Sequence, residues 1–144
     1  MSTSRPIRAL GVSAAAALLG ACAILPAEPQ WVTERRPLPA CGIEWVAPEG
    51  GRDADARRCL LAAWEAGEDA ELITHLTTTD GDAVTRFVRV HTNGTIEIFV
   101  DATLDALGSG RWERLGCDAL VPVPEGDDAT LVFSEQGCME LPLP

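Results

Sequence analysis

Two short acidic motifs carry the spacing that most resembles chemistry. Asp80-Gly81-Asp82 and Asp101-Ala102-Thr103-Leu104-Asp105 lie about twenty residues apart. The second places three oxygen side chains at alternate positions, the spacing of the first half of a calcium loop. It does not continue as one. The sixth position is Ala106 where the loop needs glycine, and the twelfth is Trp112 where it needs a bidentate glutamate. The surviving expectation is a weak calcium or small-ligand site that joins Asp101 and Asp105 to Asp80 or Asp82. The plainer reading has Asp101 end a strand and cap a turn that stops at Gly108.

Catalysis has less to draw on. His75 and His91 are the only histidines, and a general base needs a partner within hydrogen-bond reach. His91 falls beside a hairpin turn, opposite Thr95. His75 falls in mid-strand, where packing is its expected role. Ser109 sits in Gly108-Ser109-Gly110, which is not the strand-to-helix elbow of a nucleophilic serine. The chain has no lysine for a phosphate loop. Glu65, Glu68, Asp69 and Glu71 read as a solvated face. The expectation is therefore no enzyme, no cofactor and no catalytic residue, with a small hydrolase ranked last.

The elements that must position these groups are legible in part. Residues 54–66 read as a helix. Ala56, Cys59, Leu60, Ala63 and Trp64 fall on one face, Asp53 or Asp55 can cap the start, and Gly67 can end it. Residues 71–79, 84–91, 95–101, 111–121 and 129–134 read as strands. Between 84–91 and 95–101, a three-residue loop, Thr92-Asn93-Gly94, gives the better register. It pairs Val90 with Ile96, Val88 with Ile98, Arg89 with Glu97 and Phe87 with Phe99, so one face is aliphatic. The predicted fold is α+β: one N-terminal helix on an antiparallel, mostly hairpin-connected sheet of about five strands. Trp45 and Trp112 are expected in the core.

The 144 residues suffice for about one domain, and 47% are hydrophobic, too many for a disordered chain. Eleven arginines against 22 acids give a net charge of −11. That balance excludes nucleic acid as a partner, which requires a basic face.

The N-terminus reads as an address. Arg5 and Arg8 precede an apolar run from Ala9 to Gly20, the architecture of a secretory signal peptide. Leu19-Gly20-Ala21-Cys22 resembles a bacterial lipobox. The resemblance implies that the Cys22 thiol receives a diacylglycerol and that cleavage then makes Cys22 the lipidated first residue, so that the membrane is a partner through that lipid. The expected division is a signal peptide at 1–21, a Pro-rich tether at 22–40 and a single domain at 41–144. Removing residues 1–21 takes two arginines and no acid, leaving nine cations against 22 acids, −13 over 123 residues. With four prolines, the tether would reach about 55 Å.

Setting Cys22 aside leaves four cysteines, which in an exported domain read as two disulfides. Three pairings exist. Cys41–Cys59 and Cys117–Cys138 are favoured because each joins neighbours in sequence and brackets one structural unit. No Cys-x-x-Cys appears to suggest a metal instead.

Thr78-Thr79-Asp80-Gly81-Asp82-Ala83-Val84 resembles the Thr-Thr-Glu-Gly-Asp-Pro-Ile pattern of an uncharacterised family of small secreted bacterial lipoproteins. Asp101 to Gly108 resembles that family's Asp-Thr-Thr-Arg-Asp-x-Phe-Gly. The likeness spans about residues 41–115, with Asp80, Ala83 and Leu107 in place of the family's Glu, Pro and Phe. It implies export and fold, and no activity. The functional expectation is a lipid-anchored, non-enzymatic interaction module of the cell envelope with an envelope protein as partner. A small-ligand or calcium-binding module is the alternative.

Overall fold

The computed structural model describes residues 28–124 and 130–144. The signal peptide, Cys22 and the first part of the expected tether lie outside the described residues. In chain order the elements are α1 (Gln30–Thr33), β1 (Ala40–Val46), α2 (Ala54–Ala66), β2 (Ala70–Thr77), β3 (Ala83–Val90), β4 (Ile96–Asp101), β5 (Trp112–Cys117), β6 (Ala119–Pro122), β7 (Phe133–Gln136) and β8 (Met139–Glu140).

Helix α2 forms where its sequence signals place it. The Asp53 carboxylate accepts from the Asp55 and Ala56 N–H groups, each at 3.0 Å, satisfying donors with no partner inside the helix. Gly67 closes the helix at φ 67°, ψ 39°, a left-handed conformation that costs a glycine little.

The main sheet has six strands in the order β1-β2-β3-β4-β5-β8. All pairs are antiparallel except β1 and β2, which run parallel. The predicted class therefore needs two corrections. The helix is not N-terminal but mid-chain, the crossover of a β-α-β unit. The described residues also hold eight strands rather than about five, with β6 and β7 forming a separate two-stranded sheet. Strand β1 was hidden by an inverted pattern. Its Glu44 is buried while Ile43 and Trp45 are exposed, so hydrophobic alternation points the wrong way. The stretch 111–121 divides at Asp118, where the chain leaves β4 and turns to pair with β7.

The β3–β4 hairpin has the predicted register: Val90 opposite Ile96, Val88 opposite Ile98, Arg89 opposite Glu97 and Phe87 opposite Phe99. Its aliphatic face meets α2 and the small sheet in a core that contains Leu60, Leu72, Val88, Ile98, Leu120 and Phe133. Cys41 is bonded to Cys59 and Cys117 to Cys138, so one bridge ties β1 to α2 and the other ties the end of β5 to the segment entering β8. Cys59 itself lies exposed at the margin of the helix face.

A buried ion pair sits between α2 and the sheet. Glu44 accepts from Arg57 Nε at 3.1 Å, Arg57 Nη2 at 2.8 Å, Thr74 Oγ1 at 2.8 Å and the Asp53 N–H at 3.1 Å. Arg57 Nη1 donates to the Leu131 carbonyl at 3.2 Å, and its guanidinium lies 5.0 Å from the Phe133 ring centre. The pair thus joins β1, β2, α2 and the approach to β7, with each carboxylate oxygen doubly bonded.

The opposite face of the sheet is covered by a segment that the sequence reading placed in the tether. Within the described residues that segment is packed, not extended. Val32 of α1 is fully buried with Phe87 and Phe99. The Trp31 ring lies 4.9 Å from Phe99 and 5.4 Å from Trp112. Arg35 stacks over Phe87 at 4.3 Å. Proline spacing resembles a spacer, but burial of two apolar side chains on a sheet face outweighs it.

Candidate functional site

The second face of the sheet is ordered in rows, because facing residues on adjacent strands share a side. The middle row includes Ile43, Ile73, Phe87 and Phe99, and its centre lies under α1. At one end is a charged row containing Glu71, Arg89 and Glu97. At the other, Trp45, His75, Thr85, Asp101 and Trp112 stand side by side on five strands.

The charged end borders an open cavity of about 700 Å³. Glu71 is held by Arg35 Nε at 3.2 Å and Arg89 Nε at 3.1 Å. The Arg89 contact is too poorly aligned to be a hydrogen bond. Glu97 is held by Arg114 Nη2 at 2.7 Å. His91 lies between two acids, its Nδ1 3.9 Å from Asp69 and its Nε2 3.6 Å from Glu97. It is therefore less exposed than a hairpin-edge histidine was expected to be. Its neighbours come from residues 69 and 97, a contact no local motif announces. Burial pushes the Arg89 guanidinium below its usual value, while the Glu71 and Glu97 charges oppose the shift. With each carboxylate matched to arginine, this end reads as a clasp that binds the α1 segment to the sheet.

The Asp69 carboxyl is held below its ordinary 3.8, first by the hydrogen bond from the Thr92 N–H and then by the Arg36 and His91 charges, against the cost of burial. A depressed folded-state value stabilises the fold above the unfolded-state value and loses that contribution as pH falls through the lower one. Asp69→Asn is expected to flatten the loss of stability as pH falls below the ordinary carboxyl value of 3.8. Urea midpoints measured across that range check it. An acid limb as steep as that of the parent would contradict the assignment.

The opposite end holds the sequence-flagged aspartates. Asp82 Oδ2 accepts from the Ala106 N–H at 3.0 Å, so the β2–β3 turn and the 102–110 loop do meet. Asp105 Oδ1 accepts from the Gly108 N–H at 2.8 Å, and Asp101 Oδ1 from the Thr103 N–H at 3.1 Å. Asp80 is exposed. These three carboxylates are turned onto loop backbone rather than toward a common point. Among the described residues, no group of three or more His, Cys, Asp or Glu could hold a metal ion. Ser109 is exposed in the same loop. His75 Nδ1 lies 3.0 Å from Thr85 Oγ1. Asp101, beside Thr85 in the row, is bonded to Thr103.

What sequence reasoning missed is the outer edge of β1. Trp45 was expected in the core but is 74% exposed, and Ile43 is 55% exposed. The Trp45 indole stacks on His75 with ring centres 4.3 Å apart, which props it upright. Beside it lies a hollow of about 240 Å³ lined by Val46, His75, Leu76 and Val84 among others. Among the described residues, strand β1 pairs on one side only, and its other side presents ladder groups with no strand partner there. Trp112, by contrast, packs beside Phe87 and Trp31. No known family model matches the chain, and neither does any curated protein or solved structure.

Proposed function

We propose that the protein is an exported, lipid-anchored envelope protein that acts by interaction rather than catalysis, and that its binding element is the open edge of β1. The observation that carries this reading is Trp45. A large aromatic side chain, held upright by His75 at an unpaired strand edge, is an anchor for an added strand. Alternate exposed positions at Ile43 and Trp45 supply the side-chain contacts, and the β1 backbone supplies the hydrogen bonds. The −13 charge of the cleaved chain favours a basic or neutral partner segment.

Export is supported by the lipobox resemblance at Cys22 and by two disulfides, which persist in oxidising compartments. Among the described residues, no helix is long and apolar enough to cross a membrane.

A photoreactive residue at position 45 of the full chain is expected to give a discrete adduct in envelope preparations, and one at exposed Thr33 none. Trp45→Ala is expected to weaken binding of the captured partner about 30-fold, the loss of one interface hot spot. The melting temperature should hardly move, because the side chain is exposed. Equal labelling from both positions, or unchanged affinity, would sink the reading.

A further inference from the structure

We infer that the 102–110 loop is a membrane-contacting foot, with Leu104 and Leu107 resting on the lipid surface next to the anchor. The inference rests on the acylation of Cys22 proposed above. It begins from an inversion in how the loop uses its side chains. The carboxylates of Asp101, Asp105 and Asp82 accept from the backbone N–H groups of Thr103, Gly108 and Ala106. The leucines point outward instead, Leu104 50% and Leu107 77% exposed. Single exposed leucines are ordinary on a protein surface. Two on one internally bonded loop form a firm apolar tip.

The path of the chain says what meets that tip. Trp31 packs on Trp112, and Trp112 pairs with Asp101 at the base of the same loop. From Trp31 the chain runs to Arg35 on Glu71 and Arg36 on Asp69, at the far end of the sheet. It therefore enters the domain at the loop end. Seven residues, 23–29, separate Cys22 from α1, and the eight Cα steps from 22 to 30 span at most about 28 Å. The domain is tied to the bilayer at its loop end on a short lead. A lipid surface is the apolar phase within reach of the tip.

The test uses the full lipidated chain on zwitterionic phosphatidylcholine vesicles with brominated acyl chains, so that repulsion between acidic protein and anionic lipid does not intervene. Leu107→Trp is compared with Met139→Trp, which places an exposed indole at the far end of the sheet. Relative to the parent chain, the added indole is expected to be quenched at least twofold more strongly at 107 than at 139. Restoring polarity nearby with Leu104→Ser should reduce that difference. Equal quenching at both positions in vesicle-bound, acylated protein overturns the foot and leaves the anchor standing. An intact mass without acyl groups on Cys22 overturns the anchor, and the foot with it.

Discussion

Arg57→Met is expected to destabilise the domain by about 3–5 kcal/mol, the loss measured when one partner of a buried ion pair is removed. The reason is what stays behind. Glu44 is buried at 1% exposure on the sheet face under α2. Without Arg57 its carboxylate keeps only the Thr74 hydroxyl and the Asp53 N–H. The Leu131 carbonyl also loses its guanidinium partner. A buried charge in that state must either remain at high cost or take up a proton. Replacing both partners, as Glu44→Leu with Arg57→Met, should recover a large part of the loss, since apolar isosteres of a buried pair are often neutral. Urea unfolding of the oxidised protein reads both variants. If Arg57→Met costs under about 1 kcal/mol, the pair does not hold the helix to the sheet in the way described.

Reduction should have an effect of comparable size. The bridges close loops with sequence separations of 18 and 21. In the chain-entropy treatment each is worth about 3 kcal/mol, and the two together about 6. That approaches the whole stability of many domains. The fully reduced protein is expected to be largely unfolded near body temperature. Cys41→Ser with Cys59→Ser, and Cys117→Ser with Cys138→Ser, should each remain folded with a lowered urea midpoint. Circular dichroism with and without reductant decides the matter. A reduced protein with an unchanged midpoint would show that packing alone supports the fold.

Local signals reported local structure faithfully. Asp53 and Gly67 bracket α2, and the three-residue hairpin loop could be chosen because its register sorts Val88, Val90, Ile96 and Ile98 onto one face. What escaped notice depends on contacts between distant segments. Strand β1 looks like no strand until Arg57, thirteen residues on, compensates Glu44. Helix α1 is four residues long behind a proline. Only its landing place on Phe87 and Phe99 makes it an element. Residue type misplaced Trp45, because a tryptophan at a sheet edge has no layer to cover it. The acidic loops could be found from their spacing, but not the use of their carboxylates, which depends on how two turns come together.

The manner in which α1 is fastened has a mechanical consequence. A load applied at the N-terminus meets side-chain contacts first: the Trp31 and Val32 packing and the Arg35 and Arg36 ion pairs. It reaches the β1–β2 ladder only at Pro39, whose carbonyl accepts from the Glu71 N–H at 2.9 Å. Contacts of this kind peel one after another, whereas β1 is locked to α2 by the Cys41–Cys59 bond. Under tension the segment from Gln30 to Pro39 would pay out like a short reel, and residues 22–39 would then span up to about 63 Å instead of 28 Å. The disulfide marks where the reel stops.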